Sequence, residues 1–231
     1  MGSSSPVVLV TNSNVKHNLS DSEYPVRVKQ CRDAVKTLQT AFPSVNALRD
    51  CTGLEMLDTV RGQMDDIIYK RARHCITEDQ RTLSATEALA VGNFERLGKL
   101  MTESHISLRD DYEVSCAELD ALVESALEVE GVYGSRMTGG GFGGCTVTLV
   151  KRSAVDALIK HLKGEYFKKH NQDCDCYTAA PSAGAGVIDM TDALLEHAKK
   201  KILKEKSTPI WGYVAVGVAL LTVAIVILRK K

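Results

Sequence analysis

A run of glycines is the feature of this sequence with the most direct link to chemistry. Residues 134–145 read GSRMTGGGFGGC, and five of the six positions from 139 to 144 are glycine. Each glycine costs roughly 0.5–1 kcal/mol relative to alanine in a regular element, because it has more backbone freedom to lose on folding. In return, a glycine backbone can approach another group closely, and phosphate is the group most often bound in this way.

The neighbours of the run limit the kind of loop that it could form. Gly139, Gly141 and Gly144 satisfy the spacing G-x-G-x-x-G, but a dinucleotide-binding loop of that type opens a helix. Here the residues from 146 to 150 (TVTLV) are mostly β-branched and favour a strand. No Gly-Lys-Ser/Thr follows, as a P-loop requires, and the downstream motifs of protein kinases are missing. A glycine-rich hairpin without a ligand remains open on these residues alone.

Composition excludes several classes of protein. The 29 basic and 29 acidic residues cancel, so no overall field attracts nucleic acid and we expect no nucleic-acid partner. The seven cysteines contain no C-x-x-C pair, and Cys174 and Cys176 have no second pair with which to complete a zinc site. We therefore expect no metal site, no disulfide framework, and the reduced thiols of a cytoplasmic domain.

The pattern of elements predicts a two-layer α+β domain. Strands are expected at 7–10, at 132–136 and 146–150 on either side of the glycines, and at 176–178 and 187–190. The first helix is expected to begin near Ser22, which can cap it, with Pro25 in the first turn. Further helices are expected at 54–59, 64–90, 93–108, 117–129 and 154–167, and the pattern over 64–90 leaves open one break. Strands separated by helices indicate a sheet covered by helices on one face.

Three stretches follow one another in a specific order: residues 12–17 (NSNVKH) with 22–27 (SEYPVR), residues 104–116 (SHISLRDDYEVSC), and the glycine run. Taken together, they resemble the C-terminal part of galactokinases, which belong to the GHMP family of small-molecule kinases. The resemblance extends from about residue 7 to residue 190. It implies a GHMP-kinase C-terminal domain, α+β, over residues 21–190, preceded at residues 1–20 by a remnant of the strand region between the two domains of that family.

The resemblance also implies a reaction and a set of site residues. Galactokinases transfer the γ-phosphoryl group of ATP, with Mg²⁺, to galactose and form galactose 1-phosphate. Tyr24 matches a tyrosine whose hydroxyl contacts the sugar, so it is the expected substrate-binding residue. The glycines are expected to form a loop near the phosphates, where backbone approaches backbone: Gly139, Gly140, Gly141, Gly143 and Gly144.

The resemblance does not extend to the N-terminal half of the family. No stretch of these 231 residues resembles the Gly/Ser-rich phosphate loop of that half, or its catalytic aspartate with the partnering arginine. We therefore assign no catalytic residue in this chain and expect the chain alone to be inactive, with galactose and ATP as partners once an N-terminal half completes it. The alternative is a non-catalytic relative that acts as a sugar-sensing or protein-binding module.

The C-terminal end has the composition of a membrane anchor. Residues 191–209 form a basic connector, expected to be helical, and residues 210–228 are an uncharged, overwhelmingly apolar run. As a helix, 19 such residues span about 28 Å, close to the hydrocarbon thickness of a bilayer. Trp211 and Tyr213 lie at one end and basic residues close the other. We expect a single transmembrane helix that anchors a cytoplasmic domain in the mitochondrial outer membrane or the endoplasmic reticulum.

Overall fold

A computed structural model describes residues 5–15, 23–180 and 195–196 of the chain. The architecture below belongs to the unit Met1–Pro181, and only residues 195–196 are described in the following unit, Ser182–Lys231. The elements are β1 (Val7–Asn12), α1 (Glu23–Gln39), α2 (Leu54–Thr59), α3 (Asp66–Ala90), α4 (Phe94–Asp110), α5 (Ala117–Leu127), β2 (Val132–Thr138), β3 (Cys145–Val150), α6 (Val155–His170) and β4 (Asp175–Ala179).

The four strands form one antiparallel sheet in the order β2-β3-β1-β4. β2 and β3 make a hairpin whose last pair is Thr138 opposite Cys145, so the glycine run is the loop of this hairpin. β1 ends beside the same loop, because Asn12 lies opposite Cys145 on its other side. The part of the sheet next to the glycines is therefore built from segments that are far apart in the sequence.

One face of the sheet packs against α5 and α6. Burial alternates along β1, so Val7 and Leu9 point into the core while Val8 and Val10 are only half-buried. The core cluster on the inner face contains Val7, Leu9, Leu122, Ala126, Val150, Val155, Leu158, Leu162, Tyr166 and Cys174. This period-2 alternation is what a strand with one covered face requires.

The remaining helices form a second layer that reaches the site. α1 and α3 share an apolar cluster that includes Ala34, Leu38 and Ile76. α4 is fixed to β2 through the buried His105, whose Nδ1 accepts the Met137 N–H at 3.3 Å. The α4–β2 contact places the C-terminal end of α4 next to the β2–β3 hairpin, and this determines what the glycine loop can touch.

The expected α+β class is confirmed, with differences at particular elements. The helix expected over 64–90 is one continuous helix, Asp66–Ala90, without the break that the sequence left open. β1 lies between β3 and β4, so the strand within residues 1–20 is an inner strand of the sheet. The expected strand at 187–190, the domain boundary at 190 and the apolar run 210–228 lie outside the described residues, as does the connector 191–209 except for residues 195–196. Among the residues that the structure does describe, no helix has both the length and the apolar character needed to cross a bilayer.

Candidate functional site: the glycine loop and its supports

The glycine loop takes backbone conformations that side chains disfavour. The φ angles of Gly139, Gly141, Gly143 and Gly144 are 84°, 85°, 138° and 81°. These values lie in the left-handed and neighbouring regions, where a Cβ atom clashes with the backbone. The loop conformation therefore depends on glycine at these four positions, whether or not a ligand is near.

The centre of the loop lies directly on the backbone at Val114. A Cβ atom placed on Gly141 would lie 2.0 Å from the carbonyl oxygen of Val114. The same oxygen accepts a hydrogen bond from the Phe142 N–H at 2.7 Å. Gly141 thus lets two backbone segments meet without a side chain between them, and the Phe142 amide then fixes their separation.

The far side of the loop lies on the segment that follows β1. A Cβ atom on Gly143 would lie 2.9 Å from the carbonyl oxygen of Val15. The carbonyl oxygen of Gly144 accepts two hydrogen bonds from Ser13, one from its N–H and one from its hydroxyl, both at 2.8 Å. The Asn-Ser-Asn stretch therefore anchors the base of the glycine loop.

The segment under the loop, residues 111–114, follows the C-terminal end of α4 and is held through its carbonyl groups. The carbonyl of Asp111 accepts from Nη1 of Arg71. The carbonyls of Tyr112 and Glu113 accept from Nε and Nη2 of Arg27, at 2.8 and 2.9 Å. With the Val114 bond to Phe142, four consecutive carbonyls each receive a donor, and this arrangement holds the 111–114 segment rigidly under the glycines.

The two arginines come from different helices and are nearly enclosed. Arg71 is 2% exposed and Arg27 8% exposed. Nη2 of Arg71 also pairs with the carboxylate of Glu113 at 2.7 Å, and this hydrogen bond holds the pKa of Glu113 below its usual value. Glu113 has a φ of 53°, a conformation more common for glycine at helix C-terminal ends. The ion pair helps to hold this residue in that conformation.

A hydrogen-bonded chain of side chains supports Asp111 from below. The Ser107 hydroxyl donates to Oδ2 of Asp111 at 3.0 Å, and Nδ1 of His74 lies 3.0 Å from the same hydroxyl oxygen. Because Ser107 uses its proton on Asp111, His74 must donate from Nδ1. Burial lowers the pKa of His74 to about 4, so the ring is neutral near pH 7. The ring also stacks on Tyr112, with centroids 4.5 Å apart.

The neutral His74 predicts a loss of stability in mild acid. Its pKa is about 4 in the folded chain and 6.5 in the unfolded chain, so the unfolded state binds more protons as the pH falls below 6.5. This difference should remove about 2 kcal/mol of unfolding free energy between pH 7.5 and pH 5. Urea titrations across this range measure the effect. The His74→Asn protein, which keeps a donor near Ser107, should lose much less unfolding free energy between pH 7.5 and pH 5. Equal losses in both proteins would contradict the assignment.

Tyr24 lies in the first turn of α1 and is 79% exposed. Arg27 follows it on the same helix, so the position of the α1 N-terminus is tied to Tyr112 and Glu113 and, through Val114, to the glycine loop. Tyr24 also lines a groove of about 650 Å³ between α1, the 46–49 segment and α3. The structure thus links the expected sugar-binding residue and the expected phosphate-side loop through one chain of contacts.

The acidic and basic residues in and near residues 104–116 have partners within the fold. Asp111 is buried and binds Ser107 and Arg73, and Asp110 binds Arg109 at 2.8 Å. Arg136 donates to the carbonyl of its neighbour Met137 at 3.0 Å. Within the described residues, no group of three or more His, Cys, Asp or Glu side chains could hold a metal ion.

Sequence reasoning did not single out Arg27 and Arg71. A signal existed for Arg71, because it follows Ile68 by three positions and precedes Cys75 by four on an otherwise apolar helix stripe. A basic residue at such a position is buried only when it has partners. The partners of Arg71 are the side chains of Gln30 and Glu113 and the backbone carbonyl of Asp111, and the sequence does not show that these groups lie near it.

Comparison with known proteins places this geometry in a family. Residues 85–169 match the family described as GHMP kinases C terminal. Over 159 residues the chain is 52% identical to the galactokinases of Bos taurus and of Homo sapiens, covering 69% of this chain and 39% of each relative. It is 44% identical over 182 residues to the galactokinase of Clostridium acetobutylicum, covering 79% of this chain and 46% of that relative.

Among solved structures, the crystal structure of Lactococcus lactis galactokinase complexed with galactose superposes with a TM-score of 0.74 at 35% identity. The superposition covers 79% of this chain and 47% of that one. The chain therefore spans less than half the length of these relatives. It carries a GHMP kinase C-terminal domain and is a galactokinase-like protein that corresponds to the C-terminal part of its relatives.

Proposed function

We propose that this domain serves the ATP-dependent phosphorylation of galactose to galactose 1-phosphate, as the C-terminal part of a galactokinase. The observation that carries the proposal is that three stretches meet at one loop. The 12–14 stretch binds Gly144 through Ser13, and the 111–114 stretch contacts Gly141 and Phe142 through the carbonyl of Val114. Arg27, near the start of α1, donates to the carbonyls of residues 112 and 113. These three stretches are the ones that resemble galactokinases. The 52% identity to the galactokinases of Bos taurus and Homo sapiens supports the same proposal.

In this proposal the chain contributes position rather than reacting groups. Phosphoryl transfer depends on holding the two substrates in line and on neutralising charge around the phosphates. The hydroxyl of Tyr24 would bind the sugar, and the exposed glycines 139 and 140 would lie nearest the phosphates. The N-terminal half of the galactokinase fold would supply the catalytic groups and the main ATP-binding loop. No residue of this chain is assigned as a Mg²⁺ ligand.

The proposal is tested with a chimera in which the N-terminal half of a galactokinase relative precedes this chain. We expect galactose-dependent ATP turnover from the chimera and none from the chain alone. If the chimera folds and binds galactose but does not turn over ATP, the non-catalytic sugar-sensing reading takes its place. A chimera that folds but does not bind galactose would exclude both.

Tyr24→Phe in the same chimera tests the sugar-binding residue. Loss of one hydrogen bond should weaken galactose binding by roughly 0.5–1.5 kcal/mol, with little change in melting temperature, because the ring is exposed and supports no core. Isothermal titration with galactose measures the effect. Tyr177→Phe is the matched control, since Tyr177 is also exposed but lies on β4. Equal affinities for the Tyr24 and Tyr177 variants would contradict the assignment.

We also propose that residues 210–228 form a transmembrane helix and anchor the domain in an intracellular membrane. The support is the sequence: 19 uncharged residues lie between two basic segments, as is typical of a membrane-spanning helix. Basic residues on both sides favour the mitochondrial outer membrane over the endoplasmic reticulum.

Carbonate extraction of cells expressing the chain tests the anchor. The 231-residue chain should stay in the membrane pellet, and a chain without residues 207–231 should be released, because only the former would have a helix in the hydrocarbon core. Equal release of the two proteins would refute the anchor, and co-fractionation with organelle markers would identify the membrane.

A further inference from the structure

Two cysteines lie side by side where α1 packs on α3. The Sγ atoms of Cys31 and Cys75 are 3.7 Å apart, although the residues are separated by 44 positions in the chain. Both side chains are half-buried and both line the groove that Tyr24 also lines, so a small molecule in that groove would reach them. Bond formation requires the two sulfur atoms to approach from 3.7 Å to about 2.05 Å.

The surroundings make the two thiols unequal. The hydrogen bond between Cys75 and Cys31, together with Tyr112, Arg71 and Arg27, lowers the pKa of Cys31 to about 7. The same hydrogen bond and burial raise the pKa of Cys75. A thiolate is the attacking species in disulfide exchange. Cys31 is therefore the nucleophile of the pair, and Cys75 is the thiol placed to act second.

The rim of the groove carries more positive than negative charge. Arg32, Lys36 and Arg49 line it, against the single carboxylate of Asp79. Its floor is apolar and includes Val28, Val35 and Leu48. Such a groove favours an anionic molecule of low molecular weight over a cationic one.

We propose that Cys31 and Cys75 form a dithiol site that is oxidised by anionic low-molecular-weight disulfides of the glutathione type. The Cys31 thiolate attacks one sulfur of the disulfide, which forms a mixed disulfide and releases one thiolate. The Cys75 thiol then loses its proton and attacks Sγ of Cys31, which releases the second thiolate. The protein gains one S–S bond and loses two hydrogen atoms, and the small disulfide is reduced to two thiols.

The experiment treats the fully reduced 231-residue chain with oxidised glutathione at pH 7.5, followed by alkylation and peptide mapping by mass spectrometry. We expect one new disulfide, between Cys31 and Cys75. Cys75→Ser should stop at the first step and accumulate glutathione on Cys31. Cys31→Ser should leave Cys75 as a free thiol. If Cys31 stays reduced, or if glutathione accumulates equally on Cys75 in the Cys31→Ser protein, the proposal is wrong.

Two internal comparisons sharpen the test. Cys174 and Cys176 form a second pair of neighbouring thiols, next to the sheet. Oxidation of that pair with Cys31 and Cys75 unchanged would overturn the assignment.

The cationic disulfide cystamine should react more slowly than oxidised glutathione. The double variant Arg32→Gln, Arg49→Gln should slow the glutathione reaction by ~3- to 10-fold without slowing cystamine. Equal slowing of both reagents would show that the rim does not select charge.

Discussion

Gly141→Val is expected to destabilise the domain by roughly 2–6 kcal/mol, because it combines backbone strain with overpacking. A valine would have to adopt a φ of 85°, and its Cβ would begin 2.0 Å from the carbonyl oxygen of Val114. Either the glycine loop or the 111–114 segment must therefore move. A movement of either one lengthens the hydrogen bond from the Phe142 N–H to the Val114 carbonyl, which measures 2.7 Å. Urea unfolding of the 231-residue chain measures the loss.

Gly139→Val separates the effect of backbone strain from the effect of overpacking. Gly139 has nearly the same φ, 84°, but a Cβ there would meet no atom within 4 Å. It should therefore carry only the strain, roughly 1–3 kcal/mol. In the galactokinase chimera, Gly141→Val should also lower turnover more than Gly139→Val. Equal stabilities of the two variants would mean that contact with Val114 contributes nothing.

Arg71→Met should cost roughly 1.5–3 kcal/mol, the range for losing hydrogen bonds made by a charged group. Arg71 is 2% exposed and donates to Gln30, to the carbonyl of Asp111 and to the carboxylate of Glu113. Methionine fills much of the volume but supplies no donor, so the carbonyl of Asp111 loses its partner. Because residues 111–114 support the glycine loop, hydrogen exchange of the Phe142 amide should also become faster.

Lys70→Met is the matched control for this variant. Lys70 precedes Arg71 on α3, and its Nζ lies 3.9 Å from the same Glu113 carboxylate, with both side chains 47% exposed. An exposed pair of this kind contributes about 0–1 kcal/mol. If Lys70→Met and Arg71→Met destabilise equally, then burial and the backbone bonds of Arg71 are not what stabilises the segment.

Local patterns predicted much of the secondary structure. The β-branched residues after the glycines form β3, and the helix expected at 54–59 is observed at Leu54–Thr59. Such elements depend on neighbours in sequence, which a single chain displays directly. The continuous α3 is the exception: packing of Ala72 and Ile76 against α1 and the caps at its two ends favour one helix where sequence reasoning allowed a break.

Residue identities also determined the family resemblance, since three stretches in the right order are specific even when each alone is not. The roles of Arg27 and Arg71 were not accessible in the same way, because both donate to backbone carbonyls, and every residue has one. The left-handed conformation of Glu113 is held by a salt bridge to a residue 42 positions away.

The sequence by itself determined that the glycine run is a hairpin loop between two strands and that its neighbours are galactokinase-like. Only the tertiary structure decided what the glycines touch. Gly141 lies on Val114, and Gly143 on Val15, because α4 and β1 bring those carbonyls to the loop from distant parts of the chain. A glycine in the sequence indicates that there is no room for a side chain at that position. Which atom lies there depends on how the elements pack against one another. The pairing of Cys31 with Cys75 has the same origin, since only the contact between α1 and α3 brings the two sulfur atoms together.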